Sequence, residues 1–182
     1  MDFYRALAAI DPATGLVNAV IDTPRGSNGK YKHDPETGLF RLSKMLPLGA
    51  YFPYNFGFVP QTRGGDGDEL DILVIMDEPL HIGAVVPVRV IGVLRSEQSE
   101  SDGAPAFRND RLLGVLETKH NPPEIRHYKD LPTQRLAEIE HFFLSYNLME
   151  GRPFKSLGRG GPEEALKLIR EHSLEPGVAQ LG

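Results

Sequence analysis

The chain has no cysteine among its 182 residues, which excludes disulfides, thiolate metal sites and cysteine nucleophiles. It also lacks an excess of positive charge, because 25 acidic side chains outnumber 20 basic ones and leave a net charge of −5. General nucleic-acid binding depends on a basic electrostatic field, so we do not expect a nucleic-acid partner.

Long apolar runs are absent as well. No stretch approaches the length of a transmembrane helix, and the first residues, Met1–Arg5, lack a signal-peptide pattern. We therefore expect no membrane association and a cytoplasmic location. The sequence has no internal repeat, no low-complexity tract and no clear interdomain linker. With 40% apolar and 25% charged residues, it predicts one globular domain that spans residues 1–182.

The segment DGDELD is the most informative stretch of the chain. Its three aspartates, Asp66, Asp68 and Asp71, fall within six residues at a turn, just before the apolar run Ile72–Met76. That run predicts a strand buried on both faces, and Gly67 permits a tight turn. The carboxylates would repel one another at short range unless a cation or proton lay between them. Clustered oxygen ligands suit a hard divalent ion such as Mg²⁺, although a solvated acidic turn is the alternative.

Hydrophobic periodicity and turn signals predict many strands followed by two helices. Strands are predicted at 17–22, 30–33, 39–42, 72–76, 84–94 and 111–117. A short helix is predicted at 4–10, a long helix with Asp130 as its N-cap, and a last helix that begins at Pro162. The alternating aromatic residues of 51–58 are expected to pack in the core. This order predicts an α+β fold: a closed or nearly closed, antiparallel-rich β-barrel, OB-like, with two C-terminal helices packed outside.

Several motifs in chain order resemble one known family. DGDELD fits the pattern D-G-D-x-x-D followed by an apolar strand. The supporting segments are VIDTP at 20–24, KY at 30–31, PYNFG at 53–57, VRVIGVL at 88–94 and the helical segment 131–146. From Val17 to His172 the chain therefore resembles the soluble inorganic pyrophosphatases, in their single-domain, Mg²⁺-dependent β-barrel class.

The resemblance implies that inorganic pyrophosphate is hydrolysed to two phosphates by a metal-activated water, with Mg²⁺ as cofactor and Mn²⁺ as a substitute. Bound metal ions lower the pKa of water and neutralise phosphate charge. By position, Asp66 and Asp71 would bind metal, and Asp68 would act as general base on that water or orient it. The other implied roles are metal binding by Asp22 and phosphate binding by Lys30, Lys44, Arg111 and Tyr146.

Some of these positions differ from the family pattern. The charge is kept where Lys44 replaces an arginine, Arg111 a lysine and Asp22 a glutamate. A charge or a hydrogen-bonding group changes where Lys32 replaces a glutamate, Phe56 a tyrosine, Asn109 an aspartate and Asn147 a lysine. Asparagine keeps an oxygen ligand but lacks the negative charge, so Asn109 is expected to weaken one Mg²⁺ site.

Residues 95–110 are polar and rich in turn formers, and they predict a long loop of a kind that is often functional. The resemblance places a metal-binding acid there. Glu97, Glu100 and Asp102 are the available acids, and Asp102 is taken as the candidate.

Other functions stay open on the sequence. One is a catalytically impaired relative that binds phosphate or nucleotide as a sensor or structural subunit, and another is a hydrolase of a different phosphoanhydride or phosphoester. A calcium-binding EF-hand loop that starts at Asp66 is disfavoured, because Asp71 and Asp77 occupy the places of its glycine and final glutamate. The family resemblance also implies a homo-oligomer, with a hexamer favoured over a dimer.

Overall fold

The computed structural model describes residues 3–119 and 123–174. Over these ranges the strands are β1 (Val17–Thr23), β2 (Gly29–Asp34), β3 (Leu39–Met45), β4 (Asn55–Val59), β5 (Leu70–Val74), β6 (Val85–Gln98), β7 (Phe107–Arg108), β8 (Arg111–Leu116) and β9 (Phe154–Gly160). The α-helices are α1 (Thr133–Met149) and α2 (Pro162–His172), and short 3₁₀ helices form at Phe3–Ala6 and Tyr128–Asp130. No helix in the described part of the chain is both long enough and apolar enough to cross a bilayer.

Five strands close into a ring. Antiparallel pairs join β1 to β4, β4 to β5, β6 to β8 and β1 to β6, while β5 and β8 run parallel. The 14-residue β6 makes closure possible, because one end pairs with β1 and the other continues to β7 and β9. The β2–β3 hairpin forms a separate two-stranded sheet. The predicted closed, antiparallel-rich barrel and the α+β class are confirmed.

The core has two apolar clusters that share strand β5. Ile72 and Val74 point into the cluster completed by α2, and Leu73 and Ile75 point into the cluster completed by α1. This alternation is the two-sided burial that the apolar run predicts. Each such aliphatic side chain contributes about 1.5–3 kcal/mol when it is fully removed from water. The strand that follows the acidic turn is therefore held rigidly from both faces.

The alternating aromatic residues Phe52, Tyr54, Phe56 and Phe58 are buried, as predicted, but they pack against two different sets of neighbours. Phe52, Tyr54 and Phe56 belong to the cluster completed by α1. Phe58 lies elsewhere, with its ring centroid 5.5 Å from that of His33. The β1–β4 register shifts between Ile21 and Thr23, opposite the Phe56–Gly57 step, and this irregularity accompanies the change of neighbours.

The start of the long helix differs from the prediction. Helix α1 begins at Thr133 after Pro132, and Asp130 is not its N-cap. The Asp130 carboxylate instead accepts hydrogen bonds from the backbone N–H groups of Arg126 and His127, both at 2.9 Å, in the preceding 3₁₀ turn. An aspartate that serves a local turn and one that caps a helix look alike in sequence.

Three further elements differ from the prediction. Strand β6 continues to Gln98, so the first part of the predicted loop 95–110 is strand, and β7 occupies 107–108. Strand β9 was not predicted; its sequence FKSLGRG is mostly polar, and it is recognisable only through its pairing with β6. The N-terminal helix is confined to Phe3–Ala6, because Ile10 pairs with Val17. Helix α2 begins at Pro162, as predicted.

Candidate functional site

A cleft of about 200 Å³ is formed by the β2–β3 hairpin, the segment 66–71 (the acidic turn), the ends of β6 and β8, and the C-terminal end of α1. Its lining residues are Lys30, Lys32, Ser43, Lys44, Asp66, Asp68, Asp71, Gln98, Glu100, Asn109, Arg111, Tyr146, Asn147 and Arg152. Asp22 and Asp102 do not lie on its wall, whereas the other proposed catalytic, metal-binding and phosphate-binding residues do: Lys30, Lys44, Asp66, Asp68, Asp71, Arg111 and Tyr146. The cleft thus brings together residues from opposite ends of the chain.

The acidic turn places its carboxylates on one side of the cleft. Gly67 has a φ of 89°, the backbone N–H of Asp68 donates to Asp66 Oδ1 at 3.1 Å, and Asp71 lies within β5 opposite Arg111 of β8. Burial, reinforced by the negative charge of Asp71, raises the pKa of Asp66. The carboxylates are therefore close enough to disfavour one another's charge, and an added cation would relieve this repulsion.

Nitrogen donors of the chain already contact two of these carboxylates. Lys32 Nζ lies 2.5 Å from Asp68 Oδ2, and Asn109 Nδ2 donates to Asp66 Oδ2 at 3.2 Å. Within residues 3–119 and 123–174, no three acidic or histidine side chains converge as a ready-made metal site. The donor set nevertheless fits a hard divalent ion, because Asp66, Asp68 and Asp71 present oxygen ligands on one wall.

Asp22 is buried beside the cleft rather than on its wall. Burial raises its pKa to about 7, against the favourable charge of Lys30, and the charge of Asp71 acts in the same direction as burial. Its Oδ1 atom is buried without a hydrogen-bond partner among the described residues. A buried carboxylate oxygen with no partner is suited to accept a cation, which supports the fit of the acidic side of the cleft to a divalent ion.

Asp102 is exposed and does not line the cleft, whereas Glu100 does. The reason is the length of β6, which carries the chain to Gln98 before the turn at 101–104 begins. Glu100 Oε2 lies 3.0 Å from Arg152 Nη2 across the cleft mouth. The acid that residues 95–110 contribute to the cleft is thus Glu100, not Asp102.

The opposite side of the cleft carries cations around an aromatic ring. Lys44 Nζ lies 4.5 Å and Lys30 Nζ 5.9 Å from the ring centroid of Tyr146, and Lys44 is also ion-paired with Glu150. The Tyr146 hydroxyl is buried and has no hydrogen-bond partner in the described part of the chain. Burial raises the pKa of Tyr146, so the hydroxyl stays protonated and can donate a hydrogen bond to an anion.

Arg111 is built into the wall of the cleft. Its guanidinium lies 4.6 Å from the ring centroid of Phe143, donates to Ser96 Oγ at 2.9 Å and the Asn109 carbonyl at 2.6 Å through Nη1, and donates to Gln98 Oε1 at 3.2 Å through Nη2. Burial lowers its pKa, and the charge of Asp71 opposes this shift. The Nη1 and Nη2 donors are thus engaged by the protein, whereas Nε is buried without a hydrogen-bond partner among the described residues.

Arg152 is a cation of the cleft that the sequence reasoning missed. Gly151, with a φ of 69°, turns the chain after α1, and the Arg152 backbone N–H donates to the Asn147 carbonyl at 3.0 Å. Asn147 itself is committed to the helix, because its Nδ2 donates to the Phe143 carbonyl at 2.8 Å. The glycine that follows α1 was the available signal, since it marks a turn that returns the chain toward the helix end.

The site combines carboxylates with a majority of cations. Four lining side chains are acidic and five are lysine or arginine. Such a cleft can hold an oxyanion directly on one side while its carboxylates hold a cation on the other. Fold and site together define an α+β barrel protein with a mixed acidic and basic cleft at the rim of the barrel.

Comparison with known proteins gives the family. The chain matches the family model described as inorganic pyrophosphatase over residues 19–175, and it therefore belongs to the inorganic pyrophosphatase family. It is 36% identical over 169 residues to the inorganic pyrophosphatase of Thermus thermophilus, covering 91% of this chain and 93% of the relative. It is 38% identical over 156 residues to that of Geobacillus stearothermophilus, covering 86% and 91%.

Solved structures agree with this assignment. The inorganic pyrophosphatase from Thermus thermophilus aligns with a TM-score of 0.81 at 35% identity, covering 92% of this chain and 94% of that one. The enzyme from Neisseria gonorrhoeae aligns with a TM-score of 0.83 at 34% identity, covering 94% and 96%. The family resemblance inferred from the motifs is confirmed.

Proposed function

We propose that this chain hydrolyses inorganic pyrophosphate to two phosphates with a metal-activated water, using Mg²⁺ or, as a substitute, Mn²⁺. The observation that carries the proposal is the placement of Asp66, Asp68 and Asp71 opposite Lys30 and the unpartnered Tyr146 hydroxyl in one cleft. A pyrophosphate anion needs both sides, because its charge must be neutralised while a water is made nucleophilic.

On the acidic side, Asp66, Asp71 and Asp22 would hold the metal, and Asp68 would take the proton of the attacking water. A bound divalent ion supplies a lowered water pKa and neutralises phosphate charge. Asp68 suits proton transfer because its side chain is 58% exposed, and it can reach a water without leaving the turn. Arg111 supports this side by keeping a positive charge behind Asp71.

On the basic side, Lys30, Lys44 and Arg152 would bind phosphate oxygens, and Tyr146 would donate its hydroxyl. Lys44 and Arg152 each have a carboxylate partner at present, Glu150 and Glu100. The Arg152–Glu100 pair is partly exposed, so it costs little to exchange for a phosphate oxygen, whereas the side chains of the Lys44–Glu150 pair are only 26% and 21% exposed. Arg152 also offers a planar fork of donors that matches two oxygens of one phosphate group.

The test is phosphate release from pyrophosphate by the purified protein, titrated with Mg²⁺ and with Mn²⁺, for the wild type and an Asp68→Asn variant. We expect metal-dependent release that falls by at least about a hundredfold in the variant, since general-base catalysis contributes roughly 10²–10⁴-fold. Asp102→Asn is the matched control, because Asp102 is an exposed acid off the cleft, and it should retain wild-type activity.

Absence of release above the Asp68→Asn level, from protein shown to be folded, would contradict the proposal. Binding of phosphate or nucleotide without turnover would then support the impaired, sensor-like alternative. Faster hydrolysis of an organic phosphate than of pyrophosphate would instead identify a different phosphohydrolase.

The proposal includes one domain and a homo-oligomer, with a hexamer favoured over a dimer. It is supported by large apolar side chains exposed on β3 and in the segment after it, at Leu42, Met45, Leu48 and Tyr51. Exposed apolar groups in one segment are suited to contact between subunits. Light scattering coupled to size exclusion measures the mass, and a value near the 20.2 kDa of one chain would contradict an oligomer.

A further inference from the structure

Lys32 of strand β2 is the closest cationic neighbour of the proposed general base. Its Nζ lies 2.5 Å from Asp68 Oδ2, and both side chains are about half exposed, at 53% and 58%. Exposed ion pairs of this kind contribute little to fold stability, so stability alone gives no reason for a lysine at this position. The pair lies on the wall of the cleft, where any ligand of Asp68 must also lie.

Lys32 interacts with the whole acidic turn. Burial lowers its pKa, but the hydrogen bond to Asp68 and the charges of Asp71 and Asp66 outweigh burial and raise it. Asn109 adds a second donor through its contact with Asp66 Oδ2. Without a divalent ion, the acidic turn is therefore already partly neutralised by groups of the chain itself. A metal held by Asp66 and Asp71 would therefore lie near an ammonium group on the same wall of the cleft.

Given the hydrolysis proposed above, on which this inference rests, we propose that Lys32 is a tethered cation that competes with the divalent metal for the negative charge of the acidic turn. The competition has two parts that act in the same direction. The ammonium group of Lys32 neutralises part of the negative charge that would hold the metal, and it also repels an incoming cation at short range. Lys32 thus makes metal binding weaker than the acidic turn alone would allow.

The competition can be measured by isothermal titration calorimetry with Mg²⁺ alone, without pyrophosphate. Lys32→Gln keeps a polar side chain of similar size but removes the charge, and we expect it to bind Mg²⁺ at least about tenfold more tightly than the wild type. Lys32→Arg restores the charge and should return the dissociation constant to near the wild-type value. Lys167→Gln is the matched control. Lys167 is exposed on α2 away from the cleft, and its substitution by glutamine removes the same net charge.

Tighter binding in Lys32→Gln, with wild-type affinity in Lys32→Arg and Lys167→Gln, supports the proposal. Equal or weaker binding in Lys32→Gln overturns it, and so does the absence of measurable binding in both Lys32→Gln and the wild type. Because no turnover enters the measurement, failure of pyrophosphate hydrolysis would reject the proposed function separately. Thermal unfolding of each variant in a chelator confirms that the compared proteins are folded.

Discussion

The Tyr146 hydroxyl is expected to contribute to pyrophosphate hydrolysis but not to the stability of the fold. It is buried and has no hydrogen-bond partner among the described residues, so the folded protein gains nothing from its polarity. Tyr146→Phe should therefore leave thermal stability unchanged or slightly raised. The same change should lower kcat/KM for pyrophosphate by about tenfold to a hundredfold, because a hydrogen bond to a charged oxygen is lost.

Steady-state kinetics and a thermal melt on the same preparation check both halves of this expectation. Tyr128→Phe, which alters a ring in the 3₁₀ turn off the cleft wall, controls for the loss of a tyrosine hydroxyl. Unchanged kcat/KM in Tyr146→Phe would show that the hydroxyl does not contact the substrate.

The raised pKa of Asp22 predicts that the stability of the metal-free protein depends on pH. Its folded pKa is raised from 3.8 to about 7 by burial, against the charges of Lys30 and Lys32 and with the charge of Asp71. A raised carboxyl pKa means that the folded state keeps the proton between these pH values while the unfolded state loses it. Stability from this group is therefore present at acidic pH and is lost as the pH rises toward 7.

Asp22→Asn should remove this dependence and stabilise the protein at pH 8, by at most about 4 kcal/mol. Urea unfolding of both proteins at pH 5 and pH 8, in a chelator, measures the difference. A constant gap between wild type and variant at the two pH values would contradict the assignment of the raised pKa to Asp22.

At the scale of elements, the turn after α1 determines where a positive charge enters the cleft. Gly151 directs Arg152 toward Glu100, and Asn147 has no charge to offer. Arg152→Gln should lower kcat/KM for pyrophosphate by about tenfold, mainly through a higher KM, because one charge-assisted contact to phosphate is lost. Arg152→Lys should recover part of the loss.

Kinetics as a function of pyrophosphate concentration test this contact. Arg170→Gln, on the exposed face of α2, removes the same charge away from the cleft and should behave as wild type. An unchanged KM in Arg152→Gln would place Arg152 outside the substrate contacts.

The elements also show which parts of the site could be read from the sequence. Asp66, Asp68 and Asp71 were found because they fall within six residues, at a turn and the start of β5, where the geometry depends on adjacent residues and Gly67. Glu100 could not be chosen over Asp102, because the choice depends on how far β6 extends, and that is decided by its pairing with β9. Local patterns predict local geometry, and pairing partners distant in sequence decide the rest.

Arg111 illustrates a second limit. The family resemblance implied phosphate binding by Arg111, but it did not show that the guanidinium packs against Phe143 and Phe154, which belong to α1 and β9. Strand β9 was not predicted at all, so its contact with Arg111 could not be foreseen. The fold class and closed barrel were predictable because buried strands such as β5 carry strong apolar patterns; exposed edge strands lack such patterns.

Closure of the barrel depends on a glycine, Gly57, at the contact between β1 and β4. A Cβ atom at Gly57 would lie 2.0 Å from the Val20 carbonyl oxygen, so β1 and β4 could not pair as they do. Gly57→Ala should lower the free energy of unfolding by about 3 kcal/mol or more, since backbone of the ring must move. Urea denaturation followed by circular dichroism measures the loss.

Gly103→Ala provides the comparison. Its φ of 79° carries a conformational cost of about 1 kcal/mol, but no atom lies within 4 Å of the added methyl group. Similar destabilisation in the two variants would mean that the close approach of β1 and β4 does not limit barrel stability.

The pairing of β1 with β6 has a consequence for the order in which the nascent chain can assemble. The first strand is synthesised well before the strand that completes its hydrogen bonding, so ring closure is expected late in folding. Until then β1 presents an open edge, to which a strand of another nascent chain can add. A ribosome that stalls before β6 would therefore release a product prone to aggregation.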